Sequence, residues 1–340
     1  MNSRSILTSL LLAASALMSP CIAAAAEINL YTTREPALIA PLLEAFTKST
    51  GTKVNTIFLK DGLAERVASE GASSPADILM TVDAGNLVDL VDKGVTQPVE
   101  SSVLNSAIPE QLRDAKGNWF ALSMRARVLY AAKDIDISTF NYEELADPKW
   151  KGKICIRSGQ HPYNTALFAD YIAHYGAEET EKWLTGVKAN LARKAAGGDR
   201  DAAKDILGGI CDIGIANSYY VGLMRSGKGG EEQIKWGDGI KVVLPTFKNG
   251  GTQVNISGAA IAKHSPNKAE AVKLLEYLVS DEAQKIYAEA NYEYPVKAGV
   301  AADPIIASFG ELKIDSKPLS EIVSHRKQAS ELVDKVGFDN

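Results

Sequence analysis

Apolar positions change their spacing repeatedly along this chain, and each change marks a switch between strand and helix. Residues 28–31 form a strand-like run, and residues 36–50 set Leu38, Ile39, Leu42, Leu43 and Phe46 on one face of a helix that Gly51 ends. The alternation continues with a strand at 53–58, a helix at 63–70, a strand at 77–81 and a helix at 86–93. Strands separated by helices predict a parallel sheet flanked by helices, an α/β fold. Further on, residues 119–132 read as a long pair of strands, 154–156 and 213–216 as short buried strands, and 165–176 and 179–189 as helices. Residues 241–247 and 259–262 read as strands, followed by a helix at 268–278.

The first 26 residues stand outside this pattern. A short basic start containing Arg4 precedes the apolar stretch 6–18, shorter than the roughly 20 residues that span a bilayer, and the alanines at 23–26 offer a cleavage site before Glu27. Residues 1–26 are therefore expected to be a cleaved signal peptide of an exported protein. Cys21 follows Met-Ser-Pro, unlike the Leu-Ala-Gly type of sequence that lipoprotein processing uses, so a lipoprotein is not expected. Export leaves Cys155 and Cys211, each in a strand-like run, and an even count in an oxidising compartment predicts a disulfide between them. Two buried free thiols are the alternative.

Removing residues 1–26 takes away Arg4 and no acid, so the formal charge moves from −5 to −6, which argues against nucleic acid as a partner. The remaining 314 residues exceed one typical core and predict two domains, with no Pro/Ser-rich linker between them. The histidines at 161, 174, 264 and 325 lack zinc-protease spacing, and no P-loop, G-x-S-x-G or dinucleotide fingerprint is present.

The densest chemistry is the pair Tyr219–Tyr220, just after the short buried run at 213–216. Neighbouring side chains on a strand point to opposite faces. Two adjacent tyrosines can meet on one ion only where the chain leaves the extended state, and Asn217–Ser218 are turn and capping types that would end the strand. Phenolate oxygens are hard donors, suited to a small, highly charged ion such as Fe³⁺. Packing of a loop is the alternative role for such a pair.

In order and spacing, several segments resemble the periplasmic ferric-iron-binding proteins of ABC transporters. They are Leu30-Tyr-Thr-Thr-Arg-Glu-Pro36, Ala146-Asp-Pro-Lys-Trp-Lys-Gly-Lys153, Arg157-Ser-Gly-Gln-His-Pro-Tyr-Asn164, Gly186-Val-Lys-Ala-Asn-Leu-Ala-Arg193 and Ile215-Ala-Asn-Ser-Tyr-Tyr220. The resemblance covers essentially the whole chain after residue 26. It implies a two-lobed type II fold, each lobe a mostly parallel sheet flanked by helices. The N-terminal lobe is expected at 27–122 and 246–297, and the C-terminal lobe at 123–245 and 298–340. It implies a cleft that closes over Fe³⁺, with Tyr163 joining Tyr219 and Tyr220 as ligands. It also implies a monomer that delivers iron to an inner-membrane permease and its ATPase.

The chain departs from members that complete the shell with His and Tyr, since Glu35 and Pro36 stand in the first loop and Val82 at the nearest match in the second. These departures point to the subgroup that uses an exogenous anion such as carbonate. Arg34 and Arg125 are the expected anion-binding residues, Arg127 shares a strand face with Arg125, and Glu35, Asp83 and His161 are secondary candidates. Two other classes stay open: the same fold binding an organic or oxyanion solute without metal, and an exported enzyme, for which no nucleophile–base pair is evident.

Overall fold

The computed structural model describes residues 26–340, so the signal-peptide expectation and Cys21 lie outside the described residues. Ten strands build the framework: β1 (Glu27–Thr32), β2 (Lys53–Phe58), β3 (Ile78–Thr81), β4 (Thr96–Gln97), β5 (Phe120–Ala132), β6 (Ile154–Cys155), β7 (Ile213–Asn217), β8 (Ile240–Val243), β9 (Val254–Ala262) and β10 (Tyr294–Pro295). The first seven helices are α1 (Pro36–Thr50), α2 (Leu63–Glu70), α3 (Ala84–Asp92), α4 (Ser102–Ala107), α5 (Pro162–Ala189), α6 (Asp199–Leu207) and α7 (Tyr219–Arg225). Six more follow: α8 (Glu231–Gly239), α9 (Lys268–Leu278), α10 (Asp281–Asn291), α11 (Pro304–Ala307), α12 (Leu319–Ser324) and α13 (Arg326–Lys335).

Hydrogen-bonded neighbours run β2-β1-β3-β9-β5-β7-β6. Parallel pairing joins β2, β1 and β3, and again β6 and β7, where helical crossovers connect the strands. Around β5 and β9 the pairing is antiparallel, so the sheet is mixed rather than mostly parallel. The stretch 119–132, expected as two strands, is one 13-residue strand. Its first half, through Ala126, pairs with β9, and its second half, from Arg127, pairs with β7 and β8. β5 thus passes from one set of partners to the other without a turn, which explains why no linker is visible in the sequence. Twelve of its 13 residues are buried, the signature of a strand covered on both faces.

Helix α1 holds the predicted apolar face, with Ile39, Leu42, Leu43 and Phe46 buried, and Gly51 ends it in the left-handed conformation (φ 76°). The two helices expected between 165 and 189 are both present within α5, which starts three residues earlier at Pro162 and is divided at non-helical Gly176 (φ 78°, ψ 167°). The run at 241–247 is strand only to Val243, and β9 begins five residues before the expected 259. Cys155 at the end of β6 and Cys211, two residues before β7, are joined in a disulfide with Cα atoms 5.8 Å apart. The bond braces the parallel strands that carry the tyrosine-bearing helices. Among the described residues no helix is long and apolar enough to cross a membrane.

Candidate functional site

Two adjacent parallel strands, β6 and β7, each run into a helix whose first turn carries tyrosine. Ligands in open α/β sheets gather at these carboxyl ends of strands. Pro162 occupies the first turn of α5, its fixed φ matching a helix start, and the Nδ1 atom of His161 accepts the Tyr163 N–H at 3.2 Å. That bond fixes Nδ1 as an acceptor and sets the imidazole edge-on to the Tyr163 ring at 4.5 Å. Burial, reinforced by the Arg157 charge, lowers the His161 pKa to about 4, so the ring is neutral at pH 7.

β7 extends one residue past the expected end, through Asn217. Ser218 does not cap α7: its hydroxyl accepts the Ala126 N–H at 3.2 Å, tying the start of α7 to the midpoint of β5. Tyr219 and Tyr220 follow in the first helical turn with ring centroids 4.1 Å apart, and the hydroxyls of Tyr219 and Tyr163 are 3.3 Å apart. Burial, then the neighbouring phenols Tyr163 and Tyr220, push the Tyr219 hydroxyl well above its usual pKa. Tyr220 is raised by burial and by Tyr163. Tyr219 and Tyr220 therefore keep their protons at neutral pH in the free site.

Arginines surround the tyrosines. The guanidinium carbons of Arg157, Arg125 and Arg127 lie 5.1, 5.7 and 6.0 Å from the Tyr163 ring centre, and that of Arg200 lies 5.6 Å from the Tyr220 ring. Arg127 donates through both terminal nitrogens, to Asp199 at 2.6 Å, Asn217 at 3.1 Å and Asn164 at 2.5 Å. Asp199 also pairs with Arg157 at 3.1 Å and accepts the Asn217 N–H at 2.7 Å. Arg34 is bound to Glu293 at 2.9 Å, with both side chains almost fully buried. Burial alone would raise the Glu293 pKa, but the Arg34 and Arg125 charges and the Ser123 hydroxyl outweigh it and hold the carboxyl low. Arg125 reaches the Val82 carbonyl and Ser257, and among the described residues it has no carboxylate within salt-bridge range. Three buried arginines, 34, 125 and 127, and the partly buried Arg157 thus share two carboxylates, Glu293 and Asp199, and each keeps a buried Nε without a partner among the described residues. The cluster carries surplus positive charge beside three phenols.

A cavity of about 260 Å³ brings together Arg34, Glu35, Arg125, Tyr163, Tyr219 and Glu293. Glu35 is exposed at the start of α1, whereas Asp83 is spent structurally: one oxygen accepts the Gly85 and Asn86 N–H groups and the other the Asn255 amide. Asp83 and His161 line a second cavity of about 500 Å³ on another side of Tyr163. Arg157, Asp199 and Glu293 escaped sequence reasoning. Arg157 shares a quoted segment with Tyr163 and was within reach, but nothing local marks Asp199 or Glu293.

A mixed sheet flanked by helices, with long strands shared between its two halves, is the two-lobed fold of periplasmic binding proteins. The family of bacterial extracellular solute-binding proteins matches residues 31–285, and the chain belongs to it. It is 42% identical to "Iron uptake protein A2" of Synechocystis over 92% of this chain and 90% of that protein. Among solved structures it is similar to a Bordetella ferric binding protein at 69% identity, covering 92% of this chain and all of that one, with a TM-score of 0.90. A Trichodesmium protein solved in complex with iron and citrate ligands matches at 45% identity over 92% of this chain and 99% of that one, with a TM-score of 0.87. The resemblance to ferric-iron-binding solute-binding proteins is borne out by these likenesses.

Proposed function

We propose that this protein captures Fe³⁺ in the periplasm through the phenolates of Tyr163, Tyr219 and Tyr220. As a monomer, it would hand the ion to an inner-membrane permease driven by its ATPase. The observation that carries the reading is the convergence of three phenols in an arginine-rich pocket at the ends of two parallel strands. The names of the relatives support the choice of metal. A bound cation inverts the local proton preference, so phenols that stay protonated in the free site lose their protons to the ion. Three phenolates balance Fe³⁺, and the leftover arginine charge suits a synergistic anion such as carbonate or bicarbonate. Arg125 is the principal holder because Glu293 already neutralises Arg34. The proposed lobes are 27–122 with 246–297, and 123–245 with 298–340, closing over the ion. The protein carries cargo and turns nothing over.

The test is a titration of metal-free protein with chelated Fe³⁺, followed by visible absorption, because phenolate-to-iron charge transfer colours the complex. One equivalent of iron with a visible band supports the reading. Tight binding of an organic or oxyanion solute, with no iron and no band, replaces it by the metal-free alternative.

A further inference from the structure

A second cluster of ligand-type side chains lies apart from the tyrosines. Asp170 and His174 stand one turn apart on α5, which puts both on one face of the helix. Asp315, from the segment between α11 and α12, meets them. His174 Nε2 is 3.1 Å from Asp315 Oδ2 and 3.7 Å from Asp170 Oδ1, and one donor atom of each residue lies within 4.8 Å of the others. Asp170 is completely buried, and neither of its oxygens has a hydrogen-bond partner. An ionised carboxylate in that position costs several kcal/mol unless a cation compensates it.

The surroundings are organised around these atoms. Asp315 Oδ2 accepts the Gly251 N–H at 2.8 Å, and Oδ1 accepts the Lys317 N–H at 2.9 Å. The His174 ring stacks on Phe247 with centroids 4.3 Å apart, which fixes its plane. A Cβ on Gly250 would lie 2.0 Å from Asp315 Oδ2 and 2.9 Å from His174 Cε1, so only glycine leaves the cluster open.

We propose that Asp170, His174 and Asp315 form a second metal site, for a divalent cation of the zinc class, separate from the tyrosine cleft. One imidazole nitrogen and two carboxylate oxygens are ligands that Zn²⁺ accepts, with bonds of about 2.0–2.2 Å. A tetrahedron of such bonds separates its ligand atoms by about 3.4 Å. The two distances from His174 Nε2, 3.1 and 3.7 Å, bracket that value. The two N–H groups on Asp315 are the supporting bonds that orient a ligating carboxylate.

The site's position gives it a consequence. Thr252 donates its N–H to Lys313, and Asp315 donates its N–H back to Thr252, one residue before Gln253 and two before β9. A cation at Asp315 therefore anchors α5 to the lead-in of β9. Because the ligands are buried, the ion would enter during folding, when ligand binding and chain folding are coupled.

The test uses untagged protein carrying Tyr163→Phe, Tyr219→Phe and Tyr220→Phe, so the result does not depend on the iron reading. This protein is unfolded in guanidinium with its disulfide intact, refolded with or without Zn²⁺, desalted and analysed for metal. The expected result is one retained zinc per chain and a melting temperature raised by about 4 °C at hundredfold excess over Kd. Adding His174→Gln or Asp170→Asn should abolish retention while circular dichroism stays native. X-ray absorption at the zinc edge should show one imidazole nitrogen with oxygen ligands. Absence of zinc from the refolded tyrosine-free protein overturns the proposal. Undiminished zinc in the added variants, or a shell with two imidazoles, overturns it as well, and the absorption measurement decides even if those variants fail to fold.

Discussion

The hydroxyl oxygens of Tyr163 and Tyr219 lie 3.3 Å apart although 56 residues separate them in the chain. Among the described residues neither hydroxyl hydrogen-bonds to a carboxylate, and burial disfavours the charged phenolate at Tyr219. The pair is therefore poised for an external cation to complete it.

Single substitutions Tyr163→Phe, Tyr219→Phe and Tyr220→Phe each remove one hard donor while keeping ring packing. Each is expected to weaken Fe³⁺ binding at least a hundredfold and to shift or bleach the visible band, measured by competition with citrate. Full affinity with an unchanged band in all three would sink the three-phenolate site.

Acidification should release iron. Tyr219 and Tyr220 hold their phenol protons in the free site, so phenolate ligation expels protons, and affinity falls as pH drops, by up to about three powers of ten per pH unit if three protons leave. Competitive titrations between pH 8 and 5 measure the slope. A flat profile would exclude phenolate ligation.

Arg125→Ala should remove the bicarbonate dependence of iron binding, because Arg125 is the buried arginine of the pocket without a carboxylate in range. Metal-free protein in carbonate-free buffer is titrated with Fe³⁺ with and without bicarbonate. Arg34→Ala is expected to act mainly through stability, since it strands Glu293. Equal affinity with and without bicarbonate in the wild-type protein would return the open positions to Glu35.

Breaking the buried pair by Glu293→Gln should destabilise the protein by about 3–5 kcal/mol, because Arg34 keeps its charge without a partner. The pair also sets a pH dependence. The Glu293 pKa is lower in the folded state than in the unfolded chain, so its contribution is present above about pH 4.3 and is lost as pH falls through the folded value. Melting curves from pH 7 to 3 should show that acid loss reduced in Glu293→Gln.

Replacing Cys155 and Cys211 by Ser removes a cross-link over 56 residues and is expected to cost about 4 kcal/mol, read from denaturant unfolding. Iron affinity should change much less, because α5 and α7 still start from paired strands.

Local spacing was enough to place α1, α2, β2 and α9 at their observed limits, since amphipathic period and terminal glycines act within one element. The same local logic put Tyr219–Tyr220 just beyond a buried strand and suggested the Cys155–Cys211 bond from export and an even count. What the sequence could not convey was which charges meet. Arg34 and Glu293 are 259 residues apart, as Arg127 and Asp199 are 72 apart, and only the packing of distant loops decides that Arg34 is neutralised while Arg125 is not. Nor could spacing tell one long strand from two at 120–132, because a strand buried on both faces has no alternation to show where its partners change. The chemistry of each side chain was thus fixed locally. Its role depended on tertiary structure, because hydrogen bonds act only over about 3 Å and charge interactions are screened beyond about 10 Å, so both act between groups the fold has brought together.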